Sequence, residues 1–524
     1  MSYAAAIDNL SALIPELFST PSQPRRKFSL KEIGILCAAL GDPQKQFPSV
    51  LIAGTNGKGS TASTLASIAS ESGLRVGLYT SPHLDRVNER IRLLLPANHT
   101  DTGAPGLDFE TWVSQNPKVF QDPQVPKVSE IPDDDFARVY FRVHDTAQQL
   151  VLEEKLPALP SYFELLTALA FSFFAESEVD LAVLEVGMGG RLDATNLVEP
   201  ILSVITDISL DHQEWLGSTI DLIAREKAGI MRPNGTLITL PQHPEANRAL
   251  GEVAMQLNVR GVSATEYMPQ IGASPIAPYA LGVLGQQIVV NSPLHGAHQH
   301  RNIALAIASA VELARHHNFP ITPSTIERGI AHTNWPGRLE KISLPGYPEI
   351  ILDVAHNPAG AWALRAALSA AEPTNLGAWE GSQTNPGAPH LASEMWEGSN
   401  TNSGAPHLAS ETWEGQCLIF ACLRDKPLRE MTQILFPIFD HVVLAPIHSP
   451  RATEVADLLA AAEATGVPST PSSTVEEAIQ IALRLNPARI VISGSVYLVG
   501  EARHDLLALR QIESHQEGSQ DPIP

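Results

Sequence analysis

The sequence has little cysteine, little positive charge and no long apolar run. Three cysteines among 524 residues cannot form a disulfide framework, which indicates a reducing compartment. Lys and Arg number 35 against 57 Asp and Glu, and the resulting net charge of −22 argues against nucleic acid or an anionic membrane as the main partner. An anionic substrate would therefore need a locally basic site.

No apolar run is long enough for a membrane span. The first residues lack both a basic segment and a long apolar core, so they predict an amphipathic helix rather than a signal peptide. We therefore expect a cytoplasmic protein, and a monomer. Cys417 and Cys422 could form a metal-binding pair, but their apolar surroundings favour buried thiols without a ligand role.

The length predicts two domains, and strand-like runs that alternate with helical patterns predict parallel sheets. We expect an α/β fold: a P-loop-containing ATPase domain over 1–335 and a smaller Rossmann-like α/β domain over 336–524. The predicted strands are Val50–Ala53, Val76–Tyr79, Leu181–Val186, Ile201–Thr206 and Thr236–Leu240, then Glu349–Val354, Leu418–Ala421, Val442–Ala445 and Ile490–Ser493.

Two stretches interrupt the alternation. Residues from 95 to about 135 are rich in proline and aspartate and predict a surface insertion. Residues 377–415 contain a repeat in which Trp379, Trp396 and Trp413 recur at equal spacing. The repeat could be a binding array, but it is too short and too polar to stack a solenoid core. We interpret it as a low-complexity tract in a permissive loop, without a part in the chemistry.

The most informative motif is GTNGKGS at residues 54–60, between an apolar strand and a helix of small residues. Backbone amides and a helix N-terminus in this context bind phosphates. Lys58 would add a point charge, and the Ser60 hydroxyl could ligate Mg²⁺. The spacing differs from the common GxxxxGK[ST] loop, which argues against a switch GTPase. A glycine turn that does no more than end a strand is the alternative.

Three acidic or basic side chains further along could complete such a site. Glu185 ends an apolar strand, as a Mg²⁺ ligand would, although a solvated acid is the alternative. His212 could bind a metal or hydrogen-bond within its loop. Lys227 continues the apolar stripe of a helix that we expect to be capped by Ser218 and Asp221. The pattern favours outward snorkelling of Lys227, but a buried amine would have a lowered pKa and could react with CO₂.

Residues near the start of the second domain could contact a nucleotide. Arg338 follows a Pro-Gly pair, while Asp353 and His356 follow a strand and precede a helix that begins at Pro358. An ordinary surface role is the alternative for Arg338.

Taken together, these motifs resemble the folylpolyglutamate synthase/dihydrofolate synthase family of the Mur ligase superfamily. The resemblance spans nearly the whole chain except the two insertions. It rests on GTNGKGS at 54–60, SPHL at 81–84, SYFE at 161–164, EVGMGGRLDATN at 185–196, DHQEWLG at 211–217, REKAGI at 225–230, the His298–Asn302 segment, PGRLE at 336–340, DVAHNP at 353–358 and GSVYLVGE at 494–501.

The resemblance implies a role for each matching residue. Catalytic roles fall to Lys58, His212 and Lys227. ATP would be bound by Gly54, Thr55, Asn56, Gly57, Lys58, Gly59, Ser60, Asn302, Arg338, Asp353 and His356. Two Mg²⁺ ions would be held by Ser60, Glu185, His212 and a carbamate on Lys227. The pterin substrate would be bound by Ser81, Pro82, His83, Ser161, Phe163 and Asp193, with Ser161 standing where the family usually has threonine.

The implied reaction is ATP-dependent addition of L-glutamate to dihydropteroate, to reduced folates, or to both, through an acyl phosphate. A Mur-type ligase acting on a cell-wall precursor is a rival within the same class. A P-loop NTPase switch and a non-catalytic scaffold that presents the tryptophan repeat are rivals from other classes. The SPHL and SYFE segments speak against the first rival. An inward lysine and nucleotide-contacting residues in the second domain speak against the switch.

Overall fold

The computed structural model describes residues 2–13, 29–96, 127–270, 272, 274, 277–370 and 415–517. The chain divides into two units, one made of 1–294 and 298–335 and the other of 295–297 and 336–524. The tryptophan repeat and most of the first predicted insertion lie outside the described residues.

The first unit is built on an eight-stranded sheet and carries a separate two-stranded hairpin. Its strands are β1 Ser49–Ala53, β2 Val76–Tyr79, β3 Ile91–Leu95, β4 Lys127–Glu130, β5 Leu181–Glu185, β6 Leu202–Ile205, β7 Thr236–Thr239, β8 Arg260–Ser263, β9 Tyr279–Val283 and β10 Gln286–Val290. The order in the sheet is β4-β3-β2-β5-β1-β6-β7-β8, with β9 and β10 paired apart from it. The neighbouring strands in the part of the sheet ordered β2-β5-β1-β6-β7-β8 are all parallel. Strands β3 and β4 extend the β2 edge in antiparallel orientation.

Strand β1 is buried on both faces, as its unbroken apolar run requires. Val50 and Ile52 belong to one hydrophobic cluster, with helix residues such as Leu65. Leu51 belongs to the cluster on the opposite face. Because β1 is enclosed in this way, the loop that follows it starts from a fixed point.

The helices of the first unit cover both faces of the sheet. They are Tyr3–Ser11, Leu30–Ala39, Lys58–Glu71, Asp133–Leu152, Tyr162–Glu176, Gln213–Leu216, Ile220–Ala228, Pro244–Gln256, Ala297–His316 and Pro323–Ala331. Short 3₁₀ turns lie at Pro43–Lys45, Val87–Arg90, Ala194–Leu197 and Ala264–Tyr267.

Small side chains allow the helix Lys58–Glu71 to sit deep in the unit. Its residues 59–70 are all buried. A Cβ on Gly329, in the neighbouring helix, would lie 2.4 Å from Ile68 Cα. The two backbones therefore approach closely enough that no larger residue fits at Gly329.

The C-terminal end of the predicted insertion over 95–135 contains regular structure. Strand β4 pairs with β3, and the helix Asp133–Leu152 begins with three consecutive acidic residues that favour a helix N-terminus. Residues 127–130 and 133–135 are therefore regular structure. The predicted capping pair is corrected, because Thr219, rather than Ser218, accepts the hydrogen bond from Leu222 N.

The second unit has a six-stranded sheet. Its strands are β11 Glu340–Ile342, β12 Glu349–Leu352, β13 Gln416–Phe420, β14 His441–Leu444, β15 Ser469–Pro471 and β16 Arg489–Ser493, in the order β11-β12-β16-β13-β14-β15. All its pairs are parallel except β11 with β12. Its helices are Pro358–Ala370, Leu428–Leu435, Val455–Glu463, Val475–Arg484 and Val496–Glu517, with a 3₁₀ turn at Phe436–Ile438.

Both units therefore combine helices with mainly parallel sheets, which confirms the predicted α/β class. Among the described helices, none has the length and apolar character that a membrane crossing demands.

Candidate active site

The phosphate-binding motif lies at the carboxyl end of β1, between the ends of β5 and β6. Gly54 has φ +153°, and a Cβ there would lie 1.7 Å from Thr206 Oγ1. Gly57 has φ +88°, and a Cβ there would lie 2.0 Å from Asn302 Oδ1. Both positions exclude larger residues by backbone conformation and by space.

The motif has two parts. Residues 54–57, the braced half, are hydrogen-bonded to the loop after β6, and residues 58–60, the open half, begin the following helix. Thr55 N and Asn56 N donate to the carbonyl of Asp207 at 2.8 and 3.3 Å, and Thr55 Oγ1 donates to Ser209 O at 3.1 Å. The first bond of the following helix runs from Thr61 N to Gly57 O at 3.0 Å. The amides of residues 58–60 precede that bond and lie at the positive end of the helix, where anions bind favourably. Gly59 itself has no room for a side chain, since a Cβ would lie 2.5 Å from the Trp335 ring.

Lys58 and Glu185 face each other across the open half. Lys58 Nζ donates to Thr55 O at 3.2 Å and lies 3.8 Å from Glu185 Oε1. Glu185 ends β5, is 4% exposed, and accepts a hydrogen bond from Ser81 N at 3.2 Å. Ser60 is buried in the first turn of the helix. A cation, a carboxylate and a hydroxyl thus meet where the phosphates are expected.

Lys227 is buried, so the snorkelling that the pattern favoured is wrong. Only 4% of the residue is exposed, and its Nζ donates to the Gly54 carbonyl at 2.7 Å. Burial, followed by the positive charge of Lys58, lowers the pKa of Lys227 to about 7. Near neutral pH, a large fraction of this amine is therefore uncharged and nucleophilic.

His212 lies on the loop after β6. It has φ +50° and precedes the short helix Gln213–Leu216. Its amide donates to Asp211 Oδ1 at 2.9 Å. A histidine in the left-handed region is uncommon, so the backbone here holds an energetically costly conformation beside the phosphate-binding motif.

Three of the residues predicted to bind substrate form a second group around the SPHL segment. Ser81 and Pro82 are joined by a cis peptide bond. His83 Nδ1 accepts a hydrogen bond from Arg90 Nε at 2.8 Å, and burial together with the Arg90 charge lowers the pKa of His83 to about 3. Arg90 is 8% exposed and lies over the Tyr162 ring. His83 is therefore a neutral acceptor.

The other three have mainly structural contacts. Ser161 caps the helix Tyr162–Glu176, and its hydroxyl donates to Glu164 Oε2 at 2.7 Å. Phe163 packs near Tyr79, and its ring fills the space where a Cβ on Gly187 would lie. The S-x-x-E spacing of Ser161 and Glu164 is the sequence signature of this capping box, although Ser161 was predicted only to bind substrate.

Asp193 is buried and shapes the Gly-rich loop around it. One carboxylate oxygen accepts from Met188 N, while the other accepts from Thr195 N and Oγ1. Burial raises its pKa above the usual value despite these bonds. Arg191 N, in the same loop, donates to Glu226 O at 2.8 Å, which places this loop against the turn that carries Lys227.

Asn302 contacts the phosphate-binding motif from the helix Ala297–His316. Its side-chain oxygen Oδ1 fills the space beside Gly57, and its Nδ2 donates to Gln299 Oε1 at 2.8 Å. Thr61 Oγ1 also donates to the Asn302 carbonyl at 3.4 Å. The predicted nucleotide residue is thus placed directly at the motif.

Within the second unit, Arg338, Asp353 and His356 lie close together. Asp353 Oδ2 accepts from Leu339 N and its Oδ1 from Ala355 N, each at 3.0 Å. Burial raises the pKa of Asp353, while the charge of Arg338 opposes that shift. His356 Nδ1 lies 2.9 Å from the Val354 carbonyl, and Arg338 Nη1 donates to Gly337 O at 3.1 Å.

The donor set of the first unit fits Mg²⁺ in the manner typical of nucleotide sites. The described part of the chain has no cluster of three or more His, Cys, Asp or Glu side chains that could hold a metal by itself. Mg²⁺ commonly takes one or two protein ligands and completes its shell with phosphates and water. Glu185 and Ser60 supply such a pair, and the neutral amine of Lys227 is chemically suited to become a carbamate.

Arg301 and Asp207 form an ion pair at the motif that was not predicted from the sequence. Arg301 Nε and Nη2 donate to the carboxylate of Asp207, whose carbonyl accepts from the phosphate-binding motif. The only available signal was an acid directly after an apolar strand.

Comparisons with known proteins show the family to which the chain belongs. A model of the Mur ligase middle domain matches residues 142–310. The folylpolyglutamate synthase of Lacticaseibacillus casei is 31% identical over 486 residues, which cover 91% of this chain and 94% of that protein. The dihydrofolate synthase/folylpolyglutamate synthase of Mycobacterium tuberculosis is 31% identical over 509 residues, covering 91% and 89%.

A solved structure gives the same result. The Mycobacterium tuberculosis folylpolyglutamate synthase complexed with ADP and AMPPCP is similar with a TM-score of 0.73 and 28% identity, over 99% of this chain and 100% of that one. The predicted family is confirmed. The chain belongs to the folylpolyglutamate synthase/dihydrofolate synthase family of ATP-dependent ligases.

Proposed function

We propose that the chain adds L-glutamate to dihydropteroate, to reduced folates, or to both, at the expense of ATP. The observation that carries the proposal is the phosphate-binding motif with Lys58, Glu185 and the buried Lys227 around it. Its relatives are named for the synthesis of folylpolyglutamate and of dihydrofolate.

The reaction needs an activated carboxylate. An oxygen of the pterin substrate's carboxylate attacks the γ-phosphorus of ATP, ADP leaves, and an acyl phosphate forms. The glutamate amine then attacks the acyl carbon, phosphate leaves, and the amine loses a proton as the amide forms. Phosphoryl transfer of this type is accelerated mainly by positioning and by charge stabilisation.

The residues of the first unit have distinct tasks in this proposal. The amides of residues 58–60 and the helix N-terminus hold the phosphates, and Lys58 places its charge on the transferred group. Glu185 and Ser60 would hold one Mg²⁺, and His212 with a carbamate on Lys227 would hold a second. Bound Mg²⁺ would neutralise phosphate charge during transfer. In the second unit, Arg338, Asp353 and His356 are assigned to the nucleotide.

The pterin is assigned to the group formed by Ser81–His83, Ser161, Phe163 and Asp193. A neutral His83 and the aromatic ring of Phe163 suit an aromatic heterocycle rather than a second phosphate. The predictions of a cytoplasmic location and of a monomer stay predictions.

Phosphate release tests the proposal. Purified protein is given ATP, Mg²⁺ and L-glutamate with either dihydropteroate or tetrahydrofolate, and each component is omitted in turn. We expect release only when glutamate and a pterin carboxylate are both present. Added hydroxylamine should trap the acyl phosphate as a hydroxamate.

A matched pair of lysine variants controls the assay. Lys58→Met should abolish release, whereas Lys45→Met, which removes an exposed lysine of the same unit, should not change it. Turnover with one pterin assigns the enzyme to that step, and turnover with both makes it bifunctional. Absence of phosphate release with both pterin substrates would contradict the proposal. Phosphate release that does not require glutamate would favour an NTPase switch instead.

A further inference from the structure

Arg301 and Asp207 form a two-bond ion pair at the edge of the phosphate-binding motif. Arg301 Nε donates to Asp207 Oδ2 at 2.8 Å, and Arg301 Nη2 donates to Oδ1 at 2.5 Å. Nη2 also donates to the Pro241 carbonyl at 2.9 Å. Three segments that are far apart in sequence thus meet at one guanidinium.

Asp207 connects this pair to the motif through its backbone. Its carbonyl accepts from Thr55 N and Asn56 N. Two residues later, Ser209 exchanges hydrogen bonds with Thr55 Oγ1, at 3.1 Å in each direction. The same loop continues to Asp211 and His212, so its position sets both the braced half of the motif and the place of His212.

Arg301 connects the pair to the opposite side of the motif. The next residue on its helix, Asn302, fills the space beside Gly57, and the Asn302 carbonyl accepts from Thr61 Oγ1. The guanidinium therefore ties the start of this helix to the loop after β6, with the phosphate-binding motif held between them.

We propose that Arg301 is a positioning residue for the nucleotide, acting through Asp207 to fix the loop 207–212 against residues 54–57. The inference rests on the proposed function only in assigning the nucleotide to this motif. A guanidinium suits the task because its planar fork holds both carboxylate oxygens, which fixes orientation as well as distance. A lysine would keep the charge but not the orientation.

A purely structural ion pair would stabilise the unit without affecting the nucleotide. Arg328 offers a matched comparison in the same unit, because its Nε donates to Glu71 at the far end of the helix Lys58–Glu71. Removing Arg301 takes the guanidinium from the Asp207 carboxylate, whereas removing Arg328 leaves Glu71 with His332 Nδ1 at 2.6 Å. Only Arg301 is joined to the loop beside the motif.

The test measures affinity for a non-hydrolysable ATP analogue by calorimetry, together with the thermal midpoint of each variant. We expect Arg301→Gln to weaken binding of the analogue about tenfold, because the charge-assisted pair is lost. Arg301→Lys should weaken it about threefold, because the charge remains but the two-point contact with the carboxylate is lost. Arg328→Gln should leave affinity unchanged. The double variant Asp207→Asn/Arg301→Gln should bind the analogue as tightly as Arg301→Gln alone, because each of the two substitutions removes the same ion pair.

Reversing the pair provides the sharpest check. Asp207→Arg combined with Arg301→Asp should recover part of the affinity that either single reversal loses. Unchanged affinity in Arg301→Gln, or an equal loss in Arg328→Gln, would overturn the positioning role. These measurements need no turnover, so a failure of the proposed ligase reaction is distinguishable from a failure of this inference.

Discussion

Replacing Lys227 by methionine should make the protein more stable and nearly inactive. The side chain is buried and donates to the Gly54 carbonyl, and its pKa is about 7 instead of the usual 10.5. Methionine keeps the length of the chain and removes the titrating group. It also removes the nitrogen that a carbamate would need.

The size of the stability change follows from the pKa. A shift from 10.5 to about 7 corresponds to roughly 5 kcal/mol of penalty for the charged amine in the folded state. Loss of the hydrogen bond to Gly54 offsets roughly 1 kcal/mol of the gain from removing that penalty. We therefore expect Lys227→Met to stabilise the folded state by on the order of 2–4 kcal/mol at pH 6.

The stability difference between the two proteins depends on pH between about pH 7 and 10.5. The unfolded chain keeps this amine protonated up to about pH 10.5, while the folded chain releases the proton near pH 7. The unfolded state thus binds more protons between pH 7 and 10.5, and the stability of the unmodified protein rises across that window. The methionine variant lacks this rise, so its advantage shrinks as the pH increases.

Urea unfolding in CO₂-free buffer at pH 6, 7.5 and 9 measures the difference between the two proteins. Phosphate release with ATP, glutamate and a pterin carboxylate measures activity, and Lys227→Ala with added short carboxylates tests partial rescue of a missing carbamate. A stability difference that does not vary with pH would refute the buried, neutral amine. Full activity of either variant would refute the catalytic role.

Three further predictions follow from described contacts. Gly54→Ala should abolish nucleotide binding, measured by calorimetry, because the added Cβ would overlap Thr206. The control Gly73→Ala is also at positive φ but has open space around it. It should lower the free energy of unfolding by only about 1–2 kcal/mol and leave nucleotide binding intact. His83→Leu should destabilise the fold by roughly 1–3 kcal/mol in urea unfolding, since Arg90 loses its acceptor, whereas His83→Gln should cost less; equal effects would contradict this. All three cysteine thiols are buried, with pKa values raised to about 12, so they should react with a thiol reagent only after unfolding, and fast reaction of the native protein would contradict their burial.

Local pattern was sufficient for the strands that carry the site. Predicted and observed bounds of the strand at Val76–Tyr79 coincide, and those around Leu181 and Thr236 differ by one residue. These strands contain mostly apolar residues and are largely buried, so the type of each element is visible in the sequence. Edge strands were missed, because β4 is partly exposed and lies next to a polar stretch.

Contacts between segments that are distant in the sequence could not be predicted from local sequence patterns. The stripe on the helix Ile220–Ala228 puts Lys227 on the inward face, but the pattern still favoured outward snorkelling, because it cannot show that the Gly54 carbonyl accepts a hydrogen bond from the amine. The Arg301–Asp207 pair has the same character, because an acid directly after an apolar strand does not show which cation it will pair with. Capping was visible only approximately, with Thr219 taking the place expected for Ser218.

The strand order also bears on how the protein is made. Strand β1 emerges early from the ribosome, but Ser49 pairs with Ala182 and Val50 with Leu202, so both neighbours of β1 are synthesised much later. At typical translation rates this delay is on the order of ten seconds. During that interval an apolar strand and its glycine-rich loop have no sheet to join. Chaperone capture of nascent chains should therefore centre on chains that end between β1 and β5.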